Sequence, residues 1–257
     1  MTIVHDETCG IPDILAACPT LLHDADSQLA VWLCAAKHAG ESSAWAPYIR
    51  QLPVPETIGS WSAHELQELQ DQALCARAIS RERTIEYRYH TIRDEIESKW
   101  PGRIDWAAPV WRLAGYRWAW LTVQARAFGR RIPWPALVPF ADNLNHGQVP
   151  IKYRVTKQGT FELYSTRGKV FRAGEEVLNS YGRRTNAYLL IEYGFALECN
   201  EWDYVPVRLS VKSARQLAGL PELPAAYRIS LARAAASAAV PVSRVCYMVF
   251  ISQMSKM

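Results

Sequence analysis

The spacing of hydrophobic residues changes once along the chain, near residue 135. Before that point, apolar residues recur at intervals of three and four, which is typical of amphipathic helices. From residue 151 onward they alternate with polar residues, which is typical of half-buried strands. The pattern therefore predicts an α+β chain in which the helices come first and the strands follow.

Three helices are predicted in the first half. They cover 29–38, about 63–98 and about 109–128. The second is preceded by Ser62 and Glu65, which have the spacing of a capping box. The third contains several tryptophans, and we expect these large rings to pack in the hydrophobic core.

The second half is predicted to begin with a β-hairpin. Its strands cover 151–156 and 160–165, and residues 157–159 form the turn. The other expected elements are a strand at 177–181, a short helix at 185–193, a strand at 203–209 and helical pieces at 211–219 and 223–237.

Composition narrows the class of protein. With 49% hydrophobic residues the 257-residue chain can form a real core, and its net charge of +4 is too small to indicate nucleic-acid binding. No apolar run reaches the roughly 18 residues of a membrane helix. The six cysteines are widely spaced, which favours reduced thiols in an intracellular protein over a zinc site or disulfides. They are Cys9, Cys18, Cys34, Cys75, Cys199 and Cys246.

Two segments carry the candidate chemistry. In the first, 137–146, an apolar run is followed by Asp142, Asn145 and His146. The second, 177–195, contains two Tyr-Gly pairs. Taken alone, the first segment could equally be a turn whose side chains bond their own backbone, and each tyrosine a packing residue.

Together, the order and spacing of these motifs resemble those of the SET-domain protein methyltransferases, in the branch that contains the Rubisco large-subunit lysine methyltransferase. The matching residues are Asp142, Asn145, His146, Gly174-Glu175, Asn179-Ser180-Tyr181-Gly182, Asn186-Ala187 and Tyr193-Gly194-Phe195. The resemblance implies an α+β fold, namely the C-terminal part of a SET domain, with short strands in a knot-like arrangement and a large helical insertion.

The resemblance also implies a division of the chain into four parts. Residues 1–24 are a remnant of the early SET region, and 25–135 form the helical insertion. Residues 136–210 are the C-terminal SET core, and 211–257 begin a helical substrate-binding domain. We expect the chain to start after the family's Gly-x-Gly strands and to contain only the first part of the substrate-binding domain.

The implied activity is that of an S-adenosylmethionine-dependent protein-lysine N-methyltransferase acting on a histone or another protein. By the same resemblance Tyr181 is catalytic, and no metal is expected. The implied cofactor-binding residues are Arg126, Asp142, Asn145, His146 and Tyr181. The implied substrate-binding residues are Phe128, Tyr193 and Phe195.

Lysine is the expected acceptor because the histidine-methylating branch of the family has other residues at two positions. Ala141 stands where that branch has Trp, and Phe128 where it has Asn. The expected protein is a monomer in the cytoplasm or nucleus, with the chloroplast left open, that binds a protein substrate but neither nucleic acid nor membrane. Two alternatives stay open: a catalytically impaired remnant that acts as a protein-binding module, and a gene-model fragment that does not fold.

Overall fold

The computed structural model describes residues 18–129, 132, 134–204, 207–209 and 247–249. These residues fall into two compact units, the first ending at Glu198 and the second beginning at Cys199. The helices of the first unit are α1 (Pro19–Leu22), α2 (Ala25–His38), α3 (Ala46–Ile49), α4 (Ala63–Glu68), α5 (Gln72–Lys99), α6 (Leu113–Arg126) and α7 (Asn186–Tyr193). Its strands are β1 (Ile151–Val155) and β2 (Phe161–Ser165).

Helices α2, α5 and α6 enclose the main hydrophobic core. The first predicted helix is confirmed, although α2 begins four residues earlier because Asp24 caps it by accepting a hydrogen bond from the backbone N–H of Ser27. Trp118 and Trp120 of α6 are buried, as predicted for the tryptophans of this region. Burial raises the pKa of the Cys34 thiol to about 12, so this core cysteine is unreactive.

The prediction of one long helix over 63–98 is wrong, because the segment forms two helices. The capping box at Ser62 and Glu65 starts α4 as expected. The chain then turns at Gln70, whose φ is 52°, and Asp71 caps α5 by accepting from the backbone N–H of Leu74 at 3.0 Å. The break lets Leu66 of α4 and Leu69, directly after this helix, pack against a second, smaller cluster that contains Ile58 and Ile191.

The third predicted helix is shorter than the expected 109–128. A 3-10 turn at Pro109–Trp111 precedes α6, which ends at Arg126. Phe128 has left the helix: it forms an antiparallel bridge with Ala136, with two backbone hydrogen bonds of 2.9 Å.

The predicted hairpin is confirmed. Strands β1 and β2 pair antiparallel, with Ile151 opposite Ser165. The predicted short helix is also confirmed, since α7 is capped by Thr185 and ends at Gly194. The predicted strand at 177–181 is wrong, because only Asn179 makes a bridge, a parallel one to His146. The side chain of Asn179 accepts the N–H of the next residue, which competes with a strand ladder.

The described part of the second unit contains two strands, β3 (Val207–Leu209) and β4 (Tyr247–Val249), which pair antiparallel. Strand β3 confirms the end of the strand predicted at 203–209. The helical pieces predicted at 211–219 and 223–237, like Cys9 and Cys246, lie outside the described residues. Among the helices that the structure does describe, none has the length and apolar character to span a membrane.

Candidate functional site

The two motifs found in the sequence lie side by side. A 3-10 turn, Ala141–Asn143, brings the chain into an extended segment at Asn145 and His146. The carbonyl of Asn145 accepts from the backbone N–H of Asn179, and the N–H of Gly147 donates to the carbonyl of Asn179, both at 2.9 Å. These bonds join the Asp142–His146 motif to the Asn179–Gly182 motif.

Asp142 is held by two partners from the helical region. Its side chain is fully buried. Oδ2 accepts from the Tyr48 hydroxyl at 2.6 Å and from Arg126 Nη1 at 3.3 Å. The same Arg126 nitrogen donates to the main-chain carbonyl of Asp142 and to Asn143 Oδ1. Asp142 Oδ1 is buried and accepts no hydrogen bond from any residue that the structure describes.

His146 and Tyr181 form the centre of the site. Their rings stack with centroids 5.1 Å apart. The backbone N–H of Tyr181 donates to His146 Nδ1 at 3.1 Å, and its hydroxyl donates to the carbonyl of Leu144 at 2.9 Å. Burial lowers the pKa of His146 below 6.5 and raises that of Tyr181 above 10, so both side chains are neutral near pH 7.

Aromatic rings enclose Tyr181 on its other sides. Its centroid lies 4.8 Å from that of Tyr193 and 6.4 Å from that of Phe195, and His146 lies 6.0 Å from Phe195. Such a group of rings forms an apolar wall whose faces attract cations. Four of the residues predicted from the sequence are therefore brought together here: His146, Tyr181, Tyr193 and Phe195.

Helix α5 positions the end of this aromatic wall. Arg81 forms an ion pair with Glu192 at 2.8 Å and donates to the carbonyl of Ile191 at 2.6 Å. Helix α7 then ends at Gly194, where φ is +80°. A Cβ at this position would collide with the carbonyl oxygen of Glu56, so the close approach requires glycine.

Asn145 lies at the surface beside these groups. Its side-chain amide donates to Glu176 Oε1 at 2.6 Å. Glu176 thereby fixes the orientation of the Asn145 amide, and the amide oxygen remains exposed as a hydrogen-bond acceptor.

Phe128 belongs to a different aromatic cluster from the one around Tyr181. Its buried ring makes edge contacts with Tyr153 at 5.0 Å and Phe161 at 4.9 Å, so it anchors the hairpin. The sequence analysis missed Tyr48, Leu144 and Glu176 as site residues. Tyr48 carries no local signal, because its partner Asp142 is 94 residues away.

The described residues contain no group of three or more His, Cys, Asp and Glu side chains that could hold a metal ion. What the site offers is a buried carboxylate oxygen, an oriented amide and a neutral phenol within an aromatic wall. This combination suits a ligand that carries hydrogen-bond donors and a positive charge.

Comparisons with known proteins find relatives in sequence and a similar fold. No protein-family model matches the chain. The human SET domain-containing protein 4 is 30% identical over 179 residues, which cover 65% of this chain and 40% of that protein. The pea ribulose-1,5-bisphosphate carboxylase/oxygenase large subunit N-methyltransferase is 30% identical over 208 residues, covering 74% and 41%. The Drosophila melanogaster actin-histidine N-methyltransferase is 28% identical over 218 residues, covering 74% and 39%.

The fold has a solved counterpart. A crystal structure of the SET domain of LSMT bound to methyl-lysine and AdoHcy superposes with a TM-score of 0.63 at 21% identity. The match covers 96% of this chain and 53% of that one. The chain thus spans about two fifths of the length of the three relatives and about half of the solved chain. The fold is α+β, as predicted, and the chain is homologous to the SET-domain protein methyltransferases.

Proposed function

We propose that the chain carries the active-site motifs of an S-adenosylmethionine-dependent protein-lysine N-methyltransferase. The observation that carries this proposal is the joining of the two motifs through Tyr181, which donates to both His146 and Leu144. That arrangement brings a phenol, an aromatic wall and the Asn145–His146 segment to one place.

The residues on the cofactor side fit a ligand with an ammonium group and an adenine. Asp142 Oδ1 is a buried acceptor that no described residue satisfies, and a buried orphan acceptor costs stability unless a donor reaches it. Arg126 neutralises the charge of Asp142, and Asn145 offers an oriented amide. When bound, S-adenosylmethionine supplies an electrophilic methyl group on a sulfonium. We propose that Arg126, Asp142, Asn145 and His146 form the pocket that holds it.

Tyr181 is proposed as the catalytic residue. Its single proton points at the carbonyl of Leu144, and its raised pKa keeps the phenol protonated. The oxygen lone pairs are then left to accept a hydrogen bond from the substrate amine, which orients the nitrogen lone pair for attack.

Tyr193 and Phe195 are proposed to line the channel that admits the lysine side chain. A lysine with a pKa near 10.4 must lose its proton, which costs about 4.6 kcal/mol at pH 7. Transfer into an aromatic channel lowers that pKa because the charged form loses its water. No carboxylate base is therefore needed beside the amine.

Lysine, rather than histidine, is the proposed acceptor, although one of the relatives is named for actin-histidine methylation. Support comes from Ala141, a small residue directly before Asp142, and from Phe128, whose buried ring fills a cluster with the hairpin. Both depart from the residues of the histidine-methylating branch. The solved SET domain with the matching fold was crystallised with methyl-lysine.

The test has two stages. Calorimetric titration of the full chain with S-adenosylmethionine should show binding, and Asn145→Ala should weaken it by about 1–3 kcal/mol because buried ligand groups lose a partner. Transfer of tritiated methyl to Rubisco large subunit and to actin is then measured, and mass spectrometry locates the label. We expect methyl-lysine. A folded chain that does not bind the cofactor would support the protein-binding alternative, and consistent methyl-histidine would overturn the proposed acceptor.

A further inference from the structure

The positive charge of the protein is concentrated next to the site. Residues 147–184 contain eight Lys and Arg against three Glu, a net charge of +5, whereas the whole chain has +4. The rest of the chain is therefore slightly acidic. The segment comprises the hairpin and the loop that returns from it to the Asn179–Gly182 motif.

The hairpin presents its charges on one face. Tyr153 and Phe161 point inward, where they contact Phe128. On the opposite face, Lys152 stands across from Tyr164 and Arg154 across from Glu162. The Arg154 guanidinium lies 4.9 Å from the Tyr164 ring centre, which shows that these side chains share the outer surface.

The loop after β2 continues this surface. Thr166 donates its backbone N–H to the carbonyl of Pro150 at 2.8 Å, which fastens the loop to the start of β1. Arg167, Lys169 and Arg172 follow, all exposed. Glu176, at the end of the loop, bonds Asn145, so the charged surface leads directly to the proposed cofactor pocket.

The three carboxylates of the segment are already engaged. Glu162 pairs with Arg154 at 2.9 Å, Glu175 lies 3.8 Å from Lys169 and accepts from the Arg172 backbone, and Glu176 binds Asn145. Within the part of the chain that the structure describes, four of the segment's basic side chains form no ion pair. They are Lys152, Lys157, Arg167 and Arg172. These exposed cations are therefore available to an anionic partner.

Exposed aliphatic side chains lie among these cations. Val170 and Val177, in the loop after β2, are both exposed, Val170 to 74%. A phosphate backbone offers these valines no apolar contact, whereas a peptide with acidic and aliphatic residues satisfies both kinds of group. We propose that residues 152–177, the basic-aliphatic face, dock an acidic, aliphatic segment of the protein substrate. This inference rests on the proposed methyltransferase function.

The test uses the full chain and a short fluorescein-labelled peptide of alternating glutamate and leucine. The peptide should bind, and its Kd should rise roughly fivefold or more between about 50 and about 250 mM NaCl, because exposed charges are screened. The triple variant Lys152→Glu, Arg167→Glu, Arg172→Glu should weaken binding by roughly tenfold or more. The matched control, Arg77→Glu, Arg83→Glu, Lys99→Glu on α5, makes the same change in net charge and should change the Kd by less than about twofold.

Two further measurements make the result decisive. S-adenosylmethionine affinity should be equal in the face variant and the parent, so loss of peptide binding cannot be attributed to misfolding. The triple glutamine variant at the same three positions should bind the peptide with a Kd between those of the parent and the glutamate variant. Equal peptide affinity in the face and control variants would overturn the inference, and so would tighter binding of duplex DNA with the same dependence on these residues. Thermal unfolding of the parent and of each variant provides a second folding control, so absence of cofactor binding in the parent would contradict the proposed function while leaving the peptide result interpretable.

Discussion

The hydroxyl of Tyr48 donates a 2.6 Å hydrogen bond to the carboxylate of Asp142, and so connects α3 to the motif that leads into the site. Asp142 is completely buried, and Arg126 is its other partner. Burial raises the pKa of Tyr48, so the donor keeps its proton throughout the physiological range. The carboxylate is thereby fixed through Oδ2, while its buried Oδ1 accepts no hydrogen bond from the described residues.

Replacing Tyr48 by Phe should therefore destabilise the protein and weaken cofactor binding. The ring would keep its packing, but the buried carboxylate would lose a donor, which costs about 1.5–3 kcal/mol. Thermal unfolding and calorimetric titration with S-adenosylmethionine measure the two effects. Tyr87→Phe is the control. Its side chain is largely exposed, so this substitution should change the free energy of unfolding by less than about 0.5 kcal/mol. Equal stability and equal cofactor affinity of the two variants would show that the Tyr48–Asp142 hydrogen bond contributes to neither.

Tyr181→Phe should reduce methyl transfer while leaving cofactor affinity nearly unchanged. The ring contacts with His146 and Tyr193 would remain, but the oxygen proposed to orient the amine would be gone. We expect a loss in rate on the order of 10²-fold, typical of removing a group that acts on the reacting atoms. Single-turnover transfer from tritiated S-adenosylmethionine gives the rate. A variant as fast as the parent would remove Tyr181 from the catalytic role.

Gly194→Ala should destabilise the protein more than Gly159→Ala. Both glycines have φ near +80°, so placing alanine at either position carries the same backbone conformational cost of about 1 kcal/mol. A Cβ at Gly159 meets open space, whereas at Gly194 it collides with the carbonyl oxygen of Glu56. We expect an additional loss of about 1–3 kcal/mol at Gly194, measured by urea unfolding, together with slower methyl transfer because Tyr193 and Phe195 flank the residue. Equal costs at the two positions would contradict the observed close approach.

Stability should depend on pH through His146. Burial lowers the pKa of this imidazole in the folded state below its ordinary 6.5, and the Tyr181 N–H that donates to Nδ1 requires the unprotonated nitrogen. The unfolded chain therefore takes up a proton more readily. The contribution of neutral His146 to the free energy of unfolding is therefore complete above about pH 6.5, and it is lost as the pH falls through the pKa of the folded state. Unfolding curves of the parent and His146→Asn between about pH 5 and 8 test this, and their difference should shrink toward low pH. A difference that is constant with pH would contradict the assignment.

The sequence alone was sufficient for the elements that local interactions decide. A capping box spans three residues, as at Ser62 and Glu65, and a hairpin turn needs only a glycine such as Gly159 between two alternating runs. For the same reason α7 was predicted within one residue of its observed bounds. The motifs around His146 and Tyr181 were likewise identified from order and spacing, which led to the family.

Only the tertiary structure decided how these elements meet. The break at Gln70 occurs because Asp71 provides a second cap and the side chains of α4 pack on another cluster, which no spacing in the polar helix pattern reveals. Phe128 left its predicted helix because Ala136 offers it a backbone bridge. The bonds from Tyr48 to Asp142, from Glu176 to Asn145 and from Tyr181 to His146 join residues 94, 31 and 35 positions apart. Such contacts depend on the path of the whole chain through the core, and a sequence pattern with a period of two or four residues carries no information about that path.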